Sequence, residues 1–401
     1  MNKVLALLSV CSGLLLAPAL VQAESEGEWS GYVSAEWRVF LQSPIDNDQH
    51  GDNTSFSIQP EYYKAWNNDK RSFTFVPFLR LDGRDSERTH ADIRELHWDV
   101  VGDDWEIQAG VGKVFWGVTE SQHLVDIINQ TDLVENIDGE EKLGQALVKL
   151  TLVRDWGDVD LFLLGGSRER TFPGRKGRLR SQAYVDTNEA EYATNAGRDN
   201  VDIAIRYSHS IGDIDLGVSH FSGTSREPRF RPSRDGSGRP ILIPIYESID
   251  QTSLDVQATK DDWLWKLELI TRSGQGGRYT ALTGGFEYTL YGINESSADL
   301  GLIMEYLYDD RADNASTPFA NDVFFGARLA LNDENSSELL AGIIQDADTS
   351  SRLYSVEASR RIGDNWKLSL EARLFSNIEN DDILFSQRND DYAQLELNYF
   401  F

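Results

Sequence analysis

From Glu24 to its last residue the chain is a succession of short segments in which apolar and polar side chains alternate. In one of them Val33 and Ala35 share one face, and Glu36 and Arg38 share the other. Successive side chains of a β-strand point to opposite faces, so each segment predicts a strand with one apolar and one polar side. Beyond residue 23 no run of about 18 apolar residues occurs, so no transmembrane helix is expected.

The connections between these segments alternate between tight turns and longer links. The tight turns are rich in Gly, Asp and Asn, as in Gly212-Asp213 and Gly363-Asp364-Asn365, which is the composition that short hairpins require. The longest links lie at residues 117–142, 166–200 and 223–247. The pattern predicts an all-β, antiparallel, up-and-down arrangement of about 18 strands, within a range of about 16–18.

The segment before Phe401 alternates without a break, since Ala393, Leu395, Leu397 and Tyr399 share the face of Phe401. A chain that ends on an aromatic residue after such a strand resembles the Gram-negative outer-membrane β-barrels, in which the closing strand is also the assembly signal. The resemblance implies a transmembrane barrel in the outer membrane, surrounded by lipid and lipopolysaccharide, with the barrel-assembly machinery as a partner through Phe401. The alternative is a soluble β-sandwich, which would bury its apolar faces against each other.

The first 23 residues predict a signal peptide. Lys3 precedes the apolar run Val4–Leu20, and Val21-Gln22-Ala23 fits a cleavage site of the small-x-small type. We therefore expect a mature chain of one barrel domain, residues 24–401. Cys11 is the one cysteine of the sequence and would leave with the signal, so neither disulfides nor a cysteine metal site is expected.

The charge balance is strongly acidic, with 38 basic and 66 acidic residues and a formal net charge of -28. Such a surface repels a polyanion, which argues against nucleic-acid binding. A barrel enzyme would need a histidine beside a nucleophile in the lumen. His97, between Glu95 and Asp99, is the one histidine expected to face the lumen within a strand, and no nucleophile can be assigned to it. We expect no enzymatic activity, no catalytic residues, no cofactor and no metal.

The loop at residues 117–142 is unusually apolar for an exposed segment. Leu124, Val125 and Ile128 would be costly in water, which predicts that the loop folds into the barrel with its apolar side on the wall. Trimeric porins also use their third loop as a constriction, and the stretch from Trp116 to Asp132 is similar to stretches in porin-like and polysaccharide-export-like barrels. The alternative is a structural loop packed on the rim. The acidic side chains expected to line the constriction are Glu120, Asp126, Asp132 and Glu135.

The polar strand faces predict a lumen wall with charges of both signs, which would set a transverse field across the pore. The expected wall residues are Glu36, Arg38, Arg80, Lys149, Arg206, Glu305, Arg328, Glu371 and Arg373. Two of the long outer loops also carry basic clusters, made of Arg168, Arg170, Arg175, Lys176, Arg178 and Arg180, and of Arg226, Arg229, Arg231, Arg234 and Arg239.

Arginine forks suit carboxylates and phosphates. The basic clusters therefore form either an electropositive mouth that steers anionic solutes or a contact with lipopolysaccharide phosphates. The sequence predicts a porin-like channel for passive diffusion of small hydrophilic solutes, with anionic solutes favoured by the arginines. Two alternatives stay open: an exporter component for an anionic polysaccharide, and a closed barrel that acts as a surface binding or structural protein. A homo-oligomer is also open.

Overall fold

A computed structural model describes residues 27–401, and the predicted signal peptide at residues 1–23 lies outside the described residues. The described part forms strands β1 Glu28–Phe40, β2 Asp52–Trp66, β3 Arg71–Asp82, β4 His90–Val101, β5 Trp105–Gly112, β6 Gln145–Arg154, β7 Gly157–Gly165, β8 Tyr184–Val185, β9 Glu191–Tyr192, β10 Val201–Ile211, β11 Ile214–Thr224, β12 Arg229–Arg234, β13 Pro240–Tyr246, β14 Ser248–Lys260, β15 Trp263–Ser273, β16 Tyr279–Leu290, β17 Asp299–Asp309, β18 Asn321–Ala330, β19 Glu338–Asp346, β20 Arg352–Ile362, β21 Trp366–Ser376 and β22 Tyr392–Phe400.

Short 3-10 helices interrupt the connections at Thr187–Glu189, Gly197–Asp199, Ile293–Glu295, Ala312–Asn314 and Ile383–Gln387. Within residues 27–401 no helix is long and apolar enough to cross a membrane.

Eighteen of the strands close into one antiparallel barrel. Each pairs with the barrel strands before and after it in the sequence, and β1 pairs with β22 from Tyr32↔Phe400 to Phe40↔Tyr392. Closure pairs the backbone groups that an open sheet edge would leave without partners. The predicted all-β, up-and-down barrel of about 18 strands is confirmed.

Tight turns and long loops occupy opposite ends of this barrel, which we call the turn end and the loop end. Asn67, Asn68 and Asp69 form one tight turn with φ angles of 57°, 54° and 60°, a left-handed region that Asn and Asp tolerate better than other side chains. The long loops alternate with these turns along the chain, as the sequence predicted. The lumen is therefore entered from the loop end across loops that carry most of the residues outside the barrel.

The outer face of the barrel is apolar. Trp37, Phe56, Leu163 and Ile203 point outward and each remains more than half exposed. Near the turn end, Trp263 and Trp265 stack on each other and pack on a neighbouring phenylalanine. In water this surface would be a very large apolar patch, whereas lipid accommodates it, and aromatic rings favour the boundary between lipid and headgroups.

A second, small sheet stands at the loop end. The hairpin of β12 and β13 pairs antiparallel, and β8 and β9 add to β13 in parallel. All four strands come from the long loops after β7 and β11. Tyr246 of β13 is buried and its hydroxyl accepts a hydrogen bond from the backbone N–H of Arg170 at 2.8 Å. This contact fixes the loop that carries Arg170 to the small sheet.

Candidate functional site: the inserted loop and the lumen

The connection between β5 and β6, residues 113–144, lies inside the barrel, and we call it the inserted loop. Its side chains Trp116, Val125, Ile127 and Ile128 are buried. They pack on the inward faces of β6, β7, β10, β11, β14, β15 and β16, through Leu147, Phe162, Leu164, Ala204, Phe221, Ile249, Ile270, Tyr279 and Ala281. These strands therefore present apolar side chains on both faces, and one side of the lumen is filled.

Two buried wall carboxylates hold the tip of the inserted loop. Glu268 on β15 accepts hydrogen bonds from the backbone N–H groups of Val118 at 2.7 Å, Thr119 at 3.1 Å and Val125 at 3.1 Å. Glu305 on β17 accepts two further backbone N–H groups, from residues 120 and 121, both at 2.8 Å. An ionised carboxylate is a strong acceptor for such donors. The loop tip is thus fixed to the wall opposite its own base.

Glu268 was missed by the sequence interpretation, although its position carried a signal. In β15 the inward positions are Lys266, Glu268 and Ile270, alternating with the outward Leu267 and Leu269. The alternation predicts that Glu268 faces inward. It does not predict that loop N–H groups converge on this carboxylate.

Wall charges near β1 to β4 form a buried network with the base of the inserted loop. Arg80 lies 3.2 Å from Glu36 and 2.7 Å from Glu135. Arg88, which the sequence interpretation missed, binds Glu36 at 2.8 Å and also donates to the backbone carbonyl of Val134 at 2.7 Å. The predicted wall pair Arg38 and Glu36 is adjacent in the same region at 4.0 Å. Here the charges anchor the loop and do not face open water.

The four acidic residues expected on the constriction differ in exposure. Glu120 keeps 21% of its side chain exposed and binds Arg328 at 2.6 Å. Asp126 is paired with Lys142 at 3.0 Å. Asp132 and Glu135 are buried against arginines, Arg94 at 2.8 Å and Arg80 at 2.7 Å. All four pair with basic groups, but only Glu120 keeps a substantial part of its side chain exposed to the lumen.

Burial and neighbouring positive charges shift the pKa values of the carboxylates in the inserted loop in opposite directions. Burial raises the pKa of Asp126, and this outweighs the lowering by Lys142. Burial also raises the pKa of Glu135, but His90, Arg80 and Arg88 outweigh it and hold that pKa well below its usual range. Glu135 is therefore a firmly ionised anchor.

His90, Asp132 and Glu135 offer ligand atoms within 4.8 Å of one another, a spacing that would suit a metal ion. Arg94 and Arg80 already neutralise the two carboxylates at 2.8 Å and 2.7 Å. A cation would have to displace or approach these guanidinium groups, which costs electrostatic energy. The cluster is best explained as an ion-pair network.

The remaining wall residues lie on both sides of the inserted loop. Arg206 binds Asp255 at 2.7 Å and lies over the ring of Trp116. Lys149 lines a cavity near the turn end on the same side. Opposite, on β18 to β22, Arg328 binds Glu120, and Arg373 pairs with Asp138, Glu357 and Glu371, with Glu371 also accepting from the hydroxyl of Tyr392.

Most members of the basic outer clusters are already paired with carboxylates. The pairs are Arg168–Asp92, Arg175–Asp235, Arg178–Asp390, Arg180–Asp46, Arg226–Asp202, Arg229–Glu247, Arg231–Glu191 and Arg239–Asp235. For Arg170, Lys176 and Arg234, no carboxylate oxygen of the described residues lies within 4.0 Å of the basic group. Arg178 and Arg226 are buried, so these two fasten loops and do not present charge to solvent.

Two cavities meet where the inserted loop faces β18 to β21. The loop-end cavity reaches Phe375 and Leu384, and the turn-end cavity reaches Lys367. Both are lined by Glu120, Asp138, Leu340 and Glu357. These four residues, with Arg328 and Arg373 bound to them, lie where the two cavities adjoin, and we call them the shared ring.

No family model and no curated protein matches this sequence. Among solved structures, OccK8 (OprE) of Pseudomonas aeruginosa aligns with 94% of this chain and 98% of its own at 11% identity and a TM-score of 0.54. Wzi of Escherichia coli, an outer-membrane protein described as a carbohydrate-binding β-barrel, aligns with 91% of this chain and 83% of its own at 9% identity and a TM-score of 0.53. At these identities the likeness concerns the fold. The fold is that of the Gram-negative outer-membrane β-barrels, porin-like in architecture, and the predicted outer-membrane location agrees with it.

Proposed function

We propose that this chain is a porin-like outer-membrane channel through which small hydrophilic solutes diffuse, and that it is not an enzyme. The observation that carries the proposal is the shared ring. The loop-end cavity and the turn-end cavity are both lined by Glu120, Asp138, Leu340 and Glu357. A solute could therefore cross the barrel between the inserted loop and β18 to β21, while the opposite side of the lumen stays filled.

The shared ring carries opposed charges across a short distance. The inserted loop contributes Glu120 and Asp138 to the ring. The barrel wall contributes Arg328, which lies 2.6 Å from Glu120, and Arg373, which lies 3.0 Å from Asp138. With Glu357, which pairs with Arg373 at 3.1 Å, the carboxylates exceed the guanidinium groups by one. Such a ring orients dipolar, hydrated solutes and rejects apolar ones, since charged walls hold water.

Most arginines of the outer basic clusters are paired with carboxylates, so the loop end carries less free positive charge than the sequence predicted. A contact of the exposed members with lipopolysaccharide phosphates remains a proposal, and so does assembly through Phe401. A preference for anionic solutes therefore needs a basic group that faces the passage and has no acidic partner.

The test is conductance through a planar bilayer, with tryptophan variants of two leucines. Leu340 lines the passage, whereas Leu374 on β21 is 39% exposed on the outer face. We expect steady single-channel conductance from the wild type and from Leu374→Trp, and a clearly smaller conductance from Leu340→Trp because the larger ring narrows the passage. Equal conductance in the two variants would contradict this route. No conductance in the wild type would remove the channel and favour a closed surface-binding barrel.

A further inference from the structure

Arg170 lines the loop-end cavity and also a second cavity that adjoins it, since the two share Ser121, His123, Asp138 and Glu140. Its backbone N–H donates to the hydroxyl of Tyr246, and its Nε lies 3.4 Å from the side-chain oxygen of Gln130. No carboxylate of the described residues lies within 4.0 Å of its guanidinium. In a chain with 66 acidic residues, a partly buried arginine that is fixed at its base and lacks an acidic partner stands out.

Two further arginines line one of these cavities. Arg272 is held by Gln251 at 2.7 Å, and Arg311 is held by Asp309 at 2.6 Å and lies 3.6 Å above the ring centre of Tyr279. Both are positioned by protein contacts, so they keep their place when a ligand enters. Arg272 and Arg311 are each paired with a carboxylate, Glu227 and Asp309, so Arg170 is the one arginine of the three without a carboxylate of the described residues within 4.0 Å.

One carboxylate of the protein, that of Glu227, lies close to this group of arginines. It lies 3.2 Å from Arg272, and 39% of its side chain is exposed. Burial raises the pKa of Glu227, but Arg272, Arg170 and Arg311 outweigh burial and hold that pKa at about 2. The cavity therefore stabilises a carboxylate that comes from the protein itself.

We propose that the cavity lined by Arg170, Arg272 and Arg311 binds the carboxylate of a small hydroxylated solute, a sugar acid, before that solute crosses the shared ring. The inference rests on the proposed channel function and adds the substrate class. Desolvated guanidinium favours a planar, bidentate anion, and a carboxylate provides two parallel acceptors. An arginine left without an anion at such a site carries a desolvation cost that an incoming carboxylate offsets.

The rest of the cavity suits hydroxyl groups. Gln122, Thr131 and Thr317 line it with amide and hydroxyl groups, and Phe319 adds an apolar face. Sites for small polar ligands combine such apolar surface with a few placed polar groups. A carboxylate on Arg170 and hydroxyls on these side chains would be recognised together.

The test uses galacturonate and galactose, which differ in the carboxylate, and isothermal titration of the purified, detergent-solubilised barrel. We expect galacturonate to bind the wild type and galactose to bind far more weakly. Arg170→Gln should weaken galacturonate about 10-fold to 100-fold, the range for losing a hydrogen bond to a charged group. The matched control is Arg360→Gln, the same change at an exposed position of β20 near the turn end.

Equal affinity for the two sugars in the wild type would overturn the proposal without any variant, so misfolding of Arg170→Gln could not hide its failure. Equal galacturonate affinity in Arg170→Gln and Arg360→Gln would overturn it as well, and competition by inorganic phosphate as strong as by galacturonate would assign a general anion site instead. Conductance in potassium chloride is measured on the same preparations. Conductance without Arg170-dependent binding refutes the site alone, whereas binding without conductance refutes the channel.

Discussion

At the scale of residues, the inserted loop depends on a few buried carboxylates of the wall. Glu268 has no exposed surface and collects three backbone N–H groups of the loop. A buried N–H without an acceptor costs about 1–3 kcal/mol. Glu268 and Glu305 together therefore control how firmly the loop tip is held to the wall.

Glu268→Gln tests this anchor. The amide keeps the shape of the side chain but replaces one accepting oxygen with a donor, which faces loop N–H groups. We expect single-channel traces with frequent transitions between conductance levels, where the wild type is steady. The matched control is Glu106→Gln, at an exposed position of β5 near the turn end. Traces of Glu268→Gln that match those of the control would contradict the anchoring role.

His123 of the inserted loop adds a pH dependence. Its Nε2 lies 3.0 Å from Glu140. Burial lowers the pKa of His123, but the neighbouring carboxylates of Glu140 and of Glu268, which lies 3.6 Å from Nδ1, outweigh burial and raise it to about 10 from an ordinary 6.5. Because the folded-state pKa is raised, the stabilisation is full below about pH 6.5 and is lost as pH rises through about 10.

We therefore expect the wild type to show noisier conductance as pH rises from 7 towards 10, and His123→Gln to show little further change over that interval. His220→Gln, at an exposed histidine of β11 that contacts Thr252, serves as the control and should behave like the wild type. A wild-type channel whose noise is constant from pH 7 to 10 would contradict the prediction.

At the scale of elements, the strands were predictable from the sequence and the partners of the loops were not. Period-two alternation locates a strand because it reflects local geometry. The β12 and β13 hairpin was expected only as part of a long basic loop. Its strands contain Arg231, Pro232, Pro240 and Pro244, which do not alternate as a barrel strand does. Which loop charge meets which wall charge depends on barrel closure, which no local pattern encodes.

Insertion of the apolar loop could be predicted for the same kind of reason. The free-energy cost of exposing Val125 and Ile128 to water can be read from the loop sequence alone. Which strands they pack on, namely β6, β7, β10, β11 and β14 to β16, depends on the closed barrel and cannot. Inward apolar residues such as Phe162 and Phe221 indicated which part of the wall the loop would cover, because the wall of a water-filled lumen is polar.

Ile128→Ala tests how much this packing holds. Ile128 has no exposed surface, and its backbone carbonyl accepts from the guanidinium of Arg226 at 3.0 Å. Removing buried methyl and methylene groups costs about 2–5 kcal/mol when the cavity does not close. We expect a lower thermal unfolding midpoint in detergent. Ile211→Ala, at a 59% exposed outer position, should change the midpoint little. Equal shifts would show that the loop is not packed on the wall.

At the scale of the whole molecule, the formal net charge is -28, whereas the shared ring has only one more carboxylate than guanidinium groups. Arg328→Gln removes one of the two guanidinium groups there. A unit charge about 4 Å from a passing ion is worth about 1 kcal/mol in water, which is about a fivefold change in a permeability ratio. We expect reversal potentials in a potassium chloride gradient to shift towards potassium. Arg360→Gln should leave them unchanged, and an unchanged potential in Arg328→Gln would place the passage elsewhere.

The pairing of β1 with β22 has a consequence for the time course of folding. The hydrogen bond from Ser34 to Glu396 joins residues 362 positions apart, whereas the other barrel pairings join consecutive barrel strands. Hairpins can therefore form one after another at small entropic cost, but the seam forms only when the whole ladder is in place. Until then two unpaired edges can recruit other chains. The lifetime of the open ladder, and with it the yield of folded barrel, is set at β1 and β22, and β22 also lines the turn-end cavity through Gln394 and Glu396.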